Sequence, residues 1–174
     1  LKRAGLSRLG RPFLRALGLG ALAAMDEHSG AAPRQNLDDI LGRESVKNPQ
    51  WRYFAACGPR YLLPRVGTAT WTALTTLKSP GSYLNNPCCG LLAHNYGELA
   101  DARELAQRNI QHAERNGQEP IVGDCSSCVA FLKTYSQLFL NPEQADWKAR
   151  AERFSARIKD VIEIYGEEAK ALPP

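Results

Sequence analysis

Residues 120–133 read PIVGDCSSCVAFLK. The apolar run at 120–123 is too short for a helix and is bounded by turn residues, so it reads as a buried strand ending at Asp124 and Cys125. From Ser127 to Leu140 the apolar residues recur at helical spacing, so strand gives way to helix beside a pair of cysteines. The same grammar repeats upstream. Residues 51–56 (WRYFAA) are aromatic-rich, read as a strand and stop at Cys57-Gly58-Pro59. Residues 60–78 follow as a helix, with Leu63, Val66, Trp71, Leu74 and Leu77 apolar. Residues 82–86 form a possible short strand that runs into Pro87-Cys88-Cys89-Gly90. Residues 98–116 then predict a helix with the stripe Leu99, Ala102, Leu105, Ala106, Ile110 and Ala113, stopped by Gly117. Strand alternating with helix predicts an α/β fold, a small parallel sheet with flanking helices. From Pro142 onward, Trp147, Ala151, Phe154, Ile158, Val161 and Tyr165 fall at spacings of four and three. That spacing predicts one long helix docked by its stripe.

Outside this pattern lie a basic arm and a linker. Residues 1–24 hold Lys2, Arg3, Arg8, Arg11 and Arg15 and no acid, so the arm carries more than the whole net charge of +4. Leu6, Leu9, Phe13, Leu14, Leu17 and Leu22 give it a near-helical apolar pattern, weakened by Gly10, Gly18 and Gly20. Such a segment suits a linker helix docked on a neighbour, a transit peptide or a membrane-surface helix. It lacks the dense basic cluster with interleaved aromatics of a nucleic-acid surface. Residues 26–50 have linker composition, with a short helical turn at residues 37–41, and the compact part is expected to start near Trp51. The division is therefore an arm and linker at 1–50 and a domain at 51–174. The chain starts at Leu1 and its one methionine is Met25, so it reads as part of a longer polypeptide. At 174 residues, 44% hydrophobic and 23% charged, it fits one ordinary globular domain with an added arm. No apolar run reaches the length of a membrane span.

The five cysteines carry the chemistry. Thirty residues separate Cys57 from Cys88, thirty-five separate Cys89 from Cys125, and two separate Cys125 from Cys128. An odd number, two of them adjacent, argues against a simple disulfide framework. Each group falls where a predicted strand ends, and ligands of parallel sheets sit beyond those carboxyl ends. The three groups can therefore meet on one edge. The thiols suit a metal or cluster site, redox chemistry or an inert core. A single zinc takes four ligands and would leave one thiolate over, whereas an iron–sulfur cluster accepts soft thiolates at several metal atoms. Chemistry favours the cluster, with zinc as the alternative occupant.

The segments NPCCGLLAHNYGE and GDCSSCVAFLKTYSQLF, with Cys57 after a strand and the helix ELADARELAQRNI between them, resemble the cysteine-rich CCG domain. That domain occurs in a subunit of heterodisulfide reductase, in the iron–sulfur subunit of glycolate oxidase and in lactate-utilisation proteins. The resemblance covers residues 51–165, and AERFSARIKDVIEIY is similar to the helix that closes a first repeat of the glycolate oxidase type. It implies a [4Fe-4S]-type cluster, cubane or non-cubane, held by Cys57, Cys88, Cys89, Cys125 and Cys128. It further implies an electron-transfer module of a 2-hydroxyacid dehydrogenase or heterodisulfide-reductase-like complex. The expected partners are a flavoprotein subunit and a ferredoxin-like domain or subunit. The expected location is cytoplasmic or peripheral at the inner face of a membrane. Direct disulfide cleavage at the cluster and a structural zinc or interaction domain are the alternatives.

Several other residues have candidate roles. His94, five after Cys89, is placed to hydrogen-bond a cluster sulfur or relay a proton, or to serve structure alone. Gly90 and Gly58 would let backbone approach a bulky group. Asp124 and Ser126 are expected to cap the helix after Cys125, whose N-terminus would face anionic sulfur. His28 and His112 read as solvated, and Lys133 and Tyr135 as structural. Paired carboxylates, a Ser/His/Asp set and a phosphate-cradling glycine loop are not evident.

Overall fold

A computed structural model describes residues 12–21, 36–42, 46–78 and 80–169. Most of the basic arm, much of the linker and His28 lie outside them. Within the arm, residues 12–16 form a helical turn with Phe13 exposed.

The predicted parallel α/β architecture is present. Four strands, β1 (Arg52–Phe54), β2 (Ser82–Tyr83), β3 (Ile121–Gly123) and β4 (Ile158–Asp160), form one sheet in the order β2-β1-β3-β4. Every pairing is parallel, with Tyr53 opposite both Tyr83 and Val122, and Val122 opposite Lys159. The chain runs outward from β1 to β2, then crosses back to β3, so the order reverses between β1 and β3. In an open parallel sheet, the crevice at the carboxyl ends on either side of such a reversal is the ligand position.

Alternation along the strands builds two cores. On one face Trp51, Tyr53 and Val122 pack with Leu37 and Leu41 of α1 (Leu37–Leu41), Trp71 and Leu74 of α2 (Pro64–Lys78), and Ile164 of α7 (Val161–Ala169). On the other, Phe54, Ile121 and Ile158 meet the helices that follow β2 and β3. These are α4 (Leu99–Asn116), α5 (Ser126–Lys133) and α6 (Ala145–Ala156). The compact body begins before Trp51. Asn36 and Asp39 form a reciprocal capping box on α1, and Leu37 and Leu41 are buried in the core.

Three predicted helices differ from expectation. The helix expected at 60–78 is split: a wide turn, Gly58–Leu62, follows Cys57, and α2 starts only at Pro64. Proline lacks the N–H that a continuing helix needs and disfavours helical geometry in the residue before it, and Leu63 is non-helical. The helix expected at 127–140 ends at Lys133 and continues as a tighter turn, Tyr135–Leu138. The long helix expected after Pro142 is three elements, α6, β4 and α7. Ile158 keeps the helical phase of Trp147, Ala151 and Phe154, but its segment pairs with β3 instead, and Val161 and Tyr165 belong to α7.

Candidate metal centre

All five cysteines gather at the carboxyl edge of the sheet. Cys57 follows β1 and Cys125 follows β3, on either side of the reversal, and Cys88 and Cys89 arrive on the loop after β2. The Sγ atoms of Cys57 and Cys88 lie 3.6 Å apart, and those of Cys89 and Cys128 lie 3.3 Å apart. Cys88 and Cys89 are consecutive in the chain and Cys125 opens the helix that carries Cys128, so the two contacting pairs and Cys125 stand in a row along this edge. None of the five is disulfide-bonded, and exposure falls from Cys57, exposed, to Cys89, buried. Contact is pairwise: among the described residues no three His, Cys, Asp or Glu side chains are arranged to hold a metal ion.

Buried polar side chains fix this edge. Asn86 is almost fully buried; its Oδ1 accepts from Ala55 N at 2.9 Å, while its Nδ2 donates to Ala55 O at 3.1 Å and Pro87 O at 2.9 Å. It ties the end of β1 to the loop that carries Cys88. Asn109 of α4 donates to Cys88 O at 2.9 Å and to the Tyr135 hydroxyl at 3.2 Å. Tyr135, fully buried, donates to Cys89 O at 2.6 Å. Burial, above all, and the neighbouring Cys89 hold its hydroxyl protonated, so it remains a donor. Gly90 has φ +88°, and a Cβ there would lie 3.3 Å from Leu105 Cβ. It turns the chain from the cysteine pair into α3 (Leu91–Asn95), and its bare Cα fits against α4. Nothing lies within 4 Å of a Cβ built on Gly58. Asn86 and Asn109 escaped the sequence reading. For Asn109 a signal exists: a polar side chain stands among Ala102, Ala106, Ile110 and Ala113 on one buried helix face.

Crowding sets the electrostatics. Hydrogen bonding within the row and burial push the Cys88 thiol well above its ordinary value. The contact with Cys128 pushes Cys89 up to about 12. Burial, then Cys88, raises Cys57. Cys125 is the exception. Burial acts to raise it, but Ser127 Oγ, 3.3 Å away, and the backbone N–H groups of Ser127 and Cys128 outweigh that and lower it. It is the first residue of the turn that opens α5, where the helix N-terminus favours a thiolate.

The expected caps are not formed by Asp124 and Ser126. Cys125 occupies the N-cap position without a side-chain cap bond, and Ser126 is exposed. Asp124 turns to the opposite face, as alternation along β3 requires, and accepts from the Tyr53 hydroxyl at 2.5 Å and Thr70 Oγ1 at 3.4 Å. His112 is not solvated; it is partly buried, with Nε2 2.5 Å from Leu84 O. His94 is exposed on α3, its ring packed on Phe131 with centroids 5.1 Å apart. Lys133 pairs with Glu163 of α7 at 2.6 Å.

The donor set fits an iron–sulfur group. The thiols are soft ligands, and mutual contact and burial keep Cys88 and Cys89 protonated until cationic metal arrives. Two sulfurs on one tetrahedral metal with bonds of about 2.3 Å stand roughly 3.8 Å apart, close to both pairs here.

Residues 51–133 match the family described as the cysteine-rich domain, CCG. A protein named Lactate utilization protein A from an Exiguobacterium species is 32% identical over 130 residues, covering 70% of this chain and 52% of its own length. Proteins of the same name from Macrococcus caseolyticus and Geobacillus thermodenitrificans are 31% and 29% identical, covering 66% and 64% of this chain and 45% of each relative. The chain spans about half the length of these curated relatives. No solved structure matches it. Among the described residues no helix is long and apolar enough to cross a membrane. Residues 51–133, which carry all five cysteines of the carboxyl edge, are thus the part of this chain that is similar to the CCG cysteine-rich domain.

Proposed function

We propose that the chain is an electron-transfer module whose five cysteines hold a [4Fe-4S]-type cluster, within an oxidoreductase complex that acts on a 2-hydroxy acid. The observation that carries the reading is the convergence of Cys57, Cys88, Cys89, Cys125 and Cys128 in one sulfur row at the carboxyl edge. A cluster bound there supplies one-electron transfer. The protein supplies the rest. Asn86, Asn109 and Tyr135 fix the backbone of the cysteine pair. The N–H groups that open α5 stabilise negative charge at Cys125.

The similarity to proteins named for lactate utilization supports the substrate class. A flavoprotein as electron donor, a ferredoxin-like domain or subunit as neighbour, and a cytoplasmic location, free or at the inner face of a membrane, complete the proposal. The test is EPR of anaerobically purified protein with and without dithionite. A reduction-dependent signal that is lost in Cys89→Ser supports the reading. A protein silent in both states after iron and sulfide reconstitution opposes it. A signal that changes on adding a disulfide substrate would instead point to chemistry at the cluster.

A further inference from the structure

Beside the Cys57–Cys88 end of the row lies an open cleft of about 520 Å³, within the size range of small-molecule sites. Its lining is basic. Arg108, Gln111, His112 and Arg115 stand at i, i+3, i+4 and i+7 on α4, so they share one helix face. Arg60 faces them from the turn after Cys57, and among the described residues no acidic side chain lines the cleft.

Arg60 is built in. Its side chain is 12% exposed; Nε donates to Asp38 at 2.9 Å, Nη2 to Asn85 Oδ1 at 2.7 Å, and Nη1 to Asn86 O. Asp38 offsets its charge, which leaves Arg108 and Arg115 as the cations available to a ligand. Glu104 lies 4.0 Å from Arg108, but both are mostly exposed, where such a pair is weak. His112 is oriented by Leu84 O, to which its Nε2–H donates, and this leaves Nδ1 for a second contact. Arg108, Gln111 and Arg115 are thus the donors of this α4 face, around a concave floor made by Asn85, Asn86 and Pro87, the residues that lead into Cys88.

We propose that this cleft binds a small oxyanion, a carboxylate or a phosphate, next to the exposed end of the thiol row. Guanidinium groups are the side chains best matched to both, through paired charge-assisted hydrogen bonds. The site is made without any cysteine side chain, so it stands or falls independently of the cluster.

The test is isothermal titration of the 174-residue chain, under reductant, with inorganic phosphate and with malonate, against sodium chloride at matched ionic strength. Saturable one-to-one binding of either probe, absent with chloride, is expected, and the probe that binds more tightly identifies the oxyanion. The R108A/R115A variant should weaken binding about ten-fold or more. Both positions are exposed on a helix, where alanine is well tolerated, so the variant should fold. As a second readout in the unmodified chain, the His112 ring resonances should shift on saturation. No saturable binding of either probe, affinity unchanged in the double variant, or an unmoved His112 would overturn the proposal.

Discussion

Replacing Tyr135 by Phe removes one oxygen from the support beneath the cysteine pair and leaves everything else in place. The ring keeps its stack on Phe154 and its edge contact with Phe131, both with centroids 5.5 Å apart. What is lost is the 2.6 Å hydrogen bond to Cys89 O and an acceptor for Asn109. Asn109 still donates to Cys88 O and Leu105 O, so the main cost is a buried carbonyl without its partner. Such a loss costs about 1–3 kcal/mol. In a body of this size each kcal/mol moves Tm by about 2–4 °C, so a fall of roughly 2–12 °C is expected. The assay is urea and thermal denaturation of metal-free protein under reductant, followed by circular dichroism, so that cluster binding does not contribute. A coupling of about 0.5 kcal/mol or more with Asn109→Ala in a double-mutant cycle should accompany the loss. A Tyr135→Phe protein within about 0.5 kcal/mol of the parent would refute the idea that this hydroxyl holds the loop.

Other expectations follow from the same framework. Gly90→Ala should cost more than Gly97→Ala in denaturant unfolding: both have left-handed φ, but only Gly90 also has Leu105 3.3 Å from the added Cβ. Equal losses would show that conformation alone requires Gly90. Glu114→Gln should cost no more than about 1 kcal/mol at neutral pH, because the bond to Arg150 is largely at the surface. Arg150 holds the Glu114 carboxyl below its ordinary 4.5, so this contribution is present above that pH and is lost as pH falls through the lowered folded value. The stability difference between the two proteins should therefore shrink as pH falls below 4.5, and a constant difference on acidification would contradict the assignment. Cys89→Ser should bind far less iron on reconstitution than Ser126→Ala, since Cys89 is buried in the middle of the row and Ser126 is exposed outside it. Equal iron in the two would exclude Cys89 from the ligand set.

The edge that gathers the cysteines was legible because each group sits just after a short apolar run bounded by turn residues, as at Val122 before Cys125 and Phe54 before Cys57. β4 was not. It has three residues, Ile158-Lys159-Asp160, and only Ile158 is buried, in phase with the helix before it. Pairing with β3 decides its state, and that is a long-range fact. The role of α1 was hidden for a similar reason. Its two leucines look weak in a polar stretch, and their burial depends on Tyr53 and Trp71, which arrive later in the chain. Asp124 read as a helix cap from sequence proximity, yet β3 alternation carries it to the face of Tyr53. The basic face of α4 is periodic in sequence, but only Arg60 and the loop at Asn85, distant in the chain, turn it into a cleft.

Metal and sulfide content tests the central claim most directly. Protein purified anaerobically, or reconstituted with iron and sulfide, should hold iron and acid-labile sulfide in equal amounts, several of each per chain, with both lost together in Cys89→Ser. One zinc per chain with no labile sulfide would contradict the cluster reading and leave the sulfur row as a structural metal site.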